Sequence, residues 1–112
     1  DAVALEAVKE DAALARRLNG AIANALGEDV VVPFRQTNMG AEDFAFFVDP
    51  QFGIPGYYFA VGGTKPEWKE AAKNGGPAVA GHHSPLFKID PEPSVRLGVE
   101  AMTAAVLDLL KK

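Results

Sequence analysis

Leucine or isoleucine stands at every fourth position of one stretch, Leu14, Leu18, Ile22 and Leu26. That spacing leaves few alternatives to a helix with one apolar face. Leu5 and Val8 extend the same broad face, so the pattern predicts a helix over residues 2–26. Asp11, Arg16, Arg17 and Asn19 fall on its other faces, and Gly27 follows where a left-handed cap is expected. A second helix is predicted near the other end. Asp90-Pro91 pairs an N-cap residue with the imino acid favoured at the first helical position. Val95, Val99, Met102, Val106 and Leu109 mark one face of it, and Lys111-Lys112 suits the negative end of the helix dipole.

Between the two helices the patterning changes. VVVP, Val30 to Pro33, is a β-branched run closed by proline and predicts a strand. It has no polar alternation, which implies burial on both faces. A polar loop over 34–40 leads into AEDFAFF, Ala41 to Phe47, with acids ahead of aromatics as at a helix start. Pro50, Gly53, Pro55 and Gly56 punctuate a loop, and YYFAVGG, Tyr57 to Gly63, predicts a second strand. Residues 64–80 read as a long loop containing Asn74-Gly75-Gly76-Pro77, of the kind often found as a lid or binding loop. LFKID, Leu86 to Asp90, reads as short and extended. The resulting order of helix, strand, short helix, strand, loop and helix is an α/β pattern. Two or three central strands with so few helices cannot cover both of their own faces, so the expectation is part of a sheet.

Composition limits the partners. A chain of 112 residues is one domain. Its net charge of −4 comes with no basic stripe, which argues against nucleic acid. No run of about 18 apolar residues is present to span a membrane. The absence of cysteine excludes disulfides and thiolate metal sites and fits a reducing, cytoplasmic setting better than a periplasmic or secreted one. The chain starts at Asp1 without a signal-like segment, and is expected to be a piece of something larger.

The chemistry-bearing candidates are few. Both histidines of the chain stand together in GHHSPLF, Gly81 to Phe87. Ser84 precedes Pro85, which biases the stretch toward extended backbone, where successive side chains point to opposite faces. Only one of His82 and His83 can then face a given site, and a zinc site wants three or four converging ligands. On residue type alone, either histidine reads first as a solvated loop residue. Glu42 and Asp43 could bind a cation or act as acid and base, but capping a helix is the simpler role. Gly62 and Gly63 could offer N–H groups to an anion, or only form a turn. Trp68, in the polar loop, is the aromatic expected to touch a ligand. No G-x-S-x-G elbow and no G-x-x-x-x-G-K-[ST] phosphate loop occurs.

Taken in order, MGAEDFAFF, IPGYYFAVGG and HHSPLFKID, with a following helix that carries Gly98 early, resemble the C-terminal part of the metal-dependent amidohydrolases. That family includes N-acyl-amino-acid, hippurate and auxin-conjugate hydrolases and is related to aminoacylases and zinc carboxypeptidases. The resemblance implies the fold class: the C-terminal portion of a mixed-sheet α/β catalytic domain of a zinc-peptidase-like di-metal hydrolase, without its lid domain. It implies that residues 1–112 are one segment of a larger two-domain enzyme. His83, the histidine directly before Ser-Pro, corresponds to the family's C-terminal metal ligand, whereas His82 carries no ligand role. Glu42 and Asp43 match an S-E-D-F motif near the site, with Ala41 replacing the usual serine; they are not the family's catalytic acidic pair. No catalytic residue is expected within this segment, since the general base belongs to an earlier one.

The resemblance further implies two divalent ions (zinc, manganese, cobalt or nickel) in the intact enzyme and none held by the segment alone. The implied substrate is a small N-acylated amino acid, with Gly62 and Gly63 near its carboxylate or carbonyl. The implied partners are the remainder of the same catalytic domain and, in the intact enzyme, a second subunit. The competing reading is a stand-alone, non-catalytic α/β module for binding or assembly.

Overall fold

The structure is a computed structural model and describes residues 12–32 and 43–111. Among these residues there is no strand. The elements are α1 (Ala12–Leu26), a 3-10 turn (Glu28–Val30), α2 (Phe44–Phe47), a second 3-10 turn (Pro50–Phe52), α3 (Pro66–Lys73) and α4 (Pro91–Leu109). The expected α/β architecture, a portion of a mixed sheet, is therefore corrected to a helical one. Two compact units divide the chain. One comprises Asp1–Ala60 with Thr103–Lys112 and the other Val61–Met102, with α4 contributing residues to both.

In the first unit α1 forms where its leucine spacing predicts, and Leu18 and Ile22 are its buried positions. Burying each contributes about 2 kcal/mol relative to leaving it in water. Residues 2–11, the earlier part of the predicted helix, lie outside the described residues. Gly27 ends α1 at φ 109° and ψ 147°, positive in φ but extended in ψ, which corrects the left-handed helical cap expected there; its N–H donates to the carbonyl of Ala23 at 2.8 Å. The predicted strand at Val30 is replaced by a 3-10 turn, whose Val30 N–H donates to the Gly27 carbonyl. Val31 has strand-like angles, φ −89° and ψ 109°, and Pro33 lies outside the described residues. A three-residue apolar run carries too little periodicity to separate strand from turn.

The second predicted strand keeps its local habit without its sheet. Tyr57 and Phe59 face one another with ring centroids 5.6 Å apart, while Tyr58 meets Phe44 at 5.4 Å. That is the i, i+2 alternation of an extended stretch. A ladder needs a partner strand, and none is present among the described residues. Instead the Tyr57 hydroxyl donates to Asn19 Oδ1 on α1. Gly56 is buried where a Cβ would lie 2.2 Å from Val48 Cγ1 and 3.2 Å from Phe44 Cζ, so the chain passes too close to α2 and its following residue for any side chain.

In the second unit, residues 66–73 of the predicted loop form α3. Pro66 occupies the first helical position, Glu67 the acidic first turn and Lys73 the basic last turn, each favoured there. The helix closes in a Schellman motif: Gly75 takes a φ of 88°, and Gly76 N–H donates to the Ala71 carbonyl at 2.8 Å. The stretch Asn74-Gly75-Gly76, read as loop, is a helix stop.

The start of α4 matches its prediction, with Asp90 ahead of Pro91. Val95, Val99, Met102, Val106 and Leu109 are all exposed, and the buried positions are Ala101 and Ala105. The helix contacts its surroundings through small residues and leaves its large apolar stripe bare.

Candidate functional site

The segment around the two histidines is a pair of consecutive turns. His82 and His83 form the first. The second runs from Ser84 to Phe87: Phe87 N–H donates to the Ser84 carbonyl at 3.1 Å, with Pro85 at the position its fixed φ favours. The Ser84 hydroxyl accepts from Leu86 N–H at 3.1 Å and stiffens the same turn.

His83 has a φ of 65° and is the one non-glycine residue with positive φ among the described residues. The left-handed region costs a residue with a Cβ about 1–2 kcal/mol, although histidine tolerates it better than most. The extended backbone expected at this position is thus corrected to a tight turn, and the cause is local. The restriction imposed by Pro85 acts on Ser84 and does not reach His83. The His82 ring packs on Phe87 with centroids 4.7 Å apart. Both histidines are exposed.

Gly62 and Gly63 act through their carbonyls. Gly63 accepts from Asp90 N–H at 2.7 Å, and Gly62 accepts from the Ser94 hydroxyl at 3.2 Å. These bonds tie the glycine pair to the N-terminus of α4. A Cβ on Gly63 would lie 2.7 Å from Ile89 Cγ2, so glycine is required there by packing.

Trp68, on α3, is flanked by two ammonium groups, Lys88 Nζ at 4.2 Å from the ring centroid and Lys65 Nζ at 5.7 Å. Neither lysine has a carboxylate partner within ion-pair distance among the described residues. The sequence singled out the tryptophan and missed Lys88, which lies twenty positions along the chain; no local pattern links the two.

Asp43 occupies the N-cap position of α2, with its backbone already helical at φ −65° and ψ −19° and no side-chain cap bond. Its contribution to the start is its carbonyl, which accepts from Phe46 N–H. Glu42 and Ala41 lie outside the described residues. No group of three or more histidine and acidic side chains able to hold a metal is assembled among the described residues. His83 stands as a single imidazole donor. Among them, too, no helix is long and apolar enough to cross a membrane.

No family model, curated protein or solved structure matches this chain.

Proposed function

We propose that this chain is a segment of a di-metal amidohydrolase that cleaves the amide bond of N-acyl amino acids or similar small amides, with His83 giving one imidazole to the metal centre. The observation carrying the reading is the left-handed backbone at His83. Strain of this kind concentrates at functional positions, where the surroundings hold a residue that would otherwise relax. Here it falls on the histidine that the HSP motif marks as a ligand, while its neighbour His82 is occupied against Phe87.

An exposed imidazole suits a divalent ion as one donor, but three or four are needed to close a site. The remaining donors of this reading come from outside the described residues. When bound, the two ions supply a water of lowered pKa and a polarised carbonyl. The part of His83 is to hold and orient from the turn directly before the one that the Ser84 hydroxyl stiffens. The Gly62-Gly63 carbonyls anchor the start of α4 in the same unit, and their N–H groups are the ones this reading assigns to the substrate's carboxylate or carbonyl. The lack of cysteine fits a cytoplasmic setting.

The test is hydrolysis of a panel of N-acyl amino acids by the complete gene product, with manganese, zinc, cobalt or nickel added, and with and without His83→Ala. Metal-dependent turnover that collapses in the variant is the expected result. Full activity in the variant would make His83 a loop histidine only. The 112-residue chain alone should show no turnover, because one imidazole does not make a closed site.

A further inference from the structure

We infer that Asn74 is a self-modification site: the Asn74-Gly75 pair closes to a succinimide without an enzyme, and the end of α3 sets the pace. The inference does not rest on the metal-site reading, and the reacting pair and the helix that controls it lie in one compact unit.

The chain holds two Asn-Gly pairs, Asn19-Gly20 and Asn74-Gly75. Asparagine before glycine is open to this chemistry because the attacking nitrogen belongs to a residue with no Cβ to obstruct it. Residue order alone treats the two pairs alike, but their settings differ. Asn19-Gly20 lies inside α1, where each N–H donates to the carbonyl four positions back. The Asn19 side chain is held as well, its Oδ1 accepting from the Tyr57 hydroxyl. Asn74 instead follows the last residue of α3, and Asn74 and Gly75 are both exposed. Gly75 N–H has no acceptor among the described residues.

The reaction needs water and no other reagent. Gly75 N gives up its proton and bonds to Asn74 Cγ; the Cγ–Nδ2 bond breaks, and ammonia leaves with that proton. Water then opens either carbonyl of the five-membered imide, giving aspartate or isoaspartate at position 74. Nothing is oxidised or reduced.

The folded end of α3 holds this step back. Asn74 is kept at φ −95° and ψ 25°, its N–H donating to the Glu70 and Ala71 carbonyls. At that ψ the Gly75 nitrogen lies across the Cα–C bond from Cβ, out of reach of Cγ. The ring closes only when the Schellman motif opens, and a helix end opens more readily than a helix interior. Reaction then makes the opening permanent. Isoaspartate routes the main chain through Cβ and Cγ, and the added atom breaks the fit of Gly76 N–H to the Ala71 carbonyl at 2.8 Å. Either product also places a carboxylate at the negative end of the helix dipole.

The experiment is peptide mapping by mass spectrometry of the 112-residue chain, aged in neutral buffer and separately in urea. In neutral buffer Asn74 should convert at least about tenfold faster than Asn19, a ratio equal to roughly 1.4 kcal/mol in local opening. Isoaspartate and aspartate should appear together, and in urea the two pairs should react at similar rates. A Cβ on Gly76 would lie 2.7 Å from the Ala71 carbonyl oxygen, so Gly76→Ala disrupts the closure without touching the reacting pair. It should speed conversion of Asn74 about fivefold or more in neutral buffer and leave the rate in urea unchanged. Circular dichroism checks that its helices persist; if they do not, the ratio of Asn74 to Asn19 in the parent chain carries the test. Equal rates for the two pairs in neutral buffer overturn the inference. So does aspartate without isoaspartate, which would mean direct hydrolysis of the side chain. A folded Gly76→Ala chain that reacts no faster than the parent overturns the control given to α3.

Discussion

Arg17 grips Asp108 twice, its Nε donating to the carboxylate at 2.7 Å and an Nη to the main-chain carbonyl at 2.8 Å. The pair joins α1 to the last turn of α4 across 91 positions of sequence, within one compact unit. The carbonyl is one of the last four of its helix, which have no partner inside the helix. Lys111 N–H donates to it at 3.2 Å, so the guanidinium adds a second, charged donor there and meets the negative end of the dipole. Lys111 adds a longer contact to the same carboxylate at 3.8 Å.

This geometry separates two substitutions. Asp108→Asn keeps the carbonyl bond and should cost well under 1 kcal/mol, because the Arg17 side chain is 50% exposed and its ion pair is screened. Arg17→Ala removes both bonds and the packed stem, and should cost about 1–2 kcal/mol. Urea denaturation at low and high salt checks both: the Asp108→Asn cost should shrink with salt, and most of the Arg17→Ala cost should persist.

At His83 stability and function are expected to diverge. Glycine takes a φ of 65° without penalty, so His83→Gly should unfold no earlier than the parent chain. His83→Val places a β-branched side chain in the left-handed region and should lose about 1–2 kcal/mol. Equal stabilities for the two variants would show that the left-handed turn is not kept in solution.

Gly63 and Ile89 form a pair suited to a double-mutant cycle. A methyl group on Gly63 would meet Ile89 Cγ2 at 2.7 Å, so Gly63→Ala should destabilise by about 1–3 kcal/mol, the usual cost of overpacking. Ile89→Ala in the same chain should recover much of that loss, since it removes the obstructing atom. Additive losses in the denaturation midpoints would place the cost of Gly63→Ala elsewhere.

Trp68 is the only tryptophan, which makes its surroundings directly readable by fluorescence. Lys88→Ala should change the emission and cost about 0.5–1 kcal/mol, the range for an exposed cation over an indole ring. Lys65→Ala should have the smaller effect, its ammonium being 5.7 Å from the centroid against 4.2 Å.

The Schellman stop of α3 predicts a further local effect. Gly75→Ala at a φ of 88° should cost about 1 kcal/mol and speed amide exchange at Gly76, whose N–H closes the motif on Ala71. Exchange in α1 should be unchanged.

What was legible in the sequence was local. The leucine spacing of α1, the Asp90-Pro91 start of α4 and the glycine after Leu26 each act over a single turn of backbone, so residue order alone decides them. The start and stop of α3 were written just as locally, in Pro66, Glu67 and Gly75, and were missed because a Gly- and Pro-rich surrounding reads as loop. The histidine pair was visible too, but not its geometry, since a left-handed φ at His83 is set by how two successive turns close.

The tertiary structure decided everything that needs a second segment. Tyr57 to Gly63 has the composition of a strand, yet a strand exists only with a ladder partner, and the described residues supply none. The apolar stripe of α4 marks a helix wherever it occurs, but whether Val95 and Val99 face a core depends on what lies opposite, and here Ala101 and Ala105 take the buried side. Contacts such as Arg17 with Asp108 and Trp68 with Lys88 join positions far apart in the chain, and no local period encodes them.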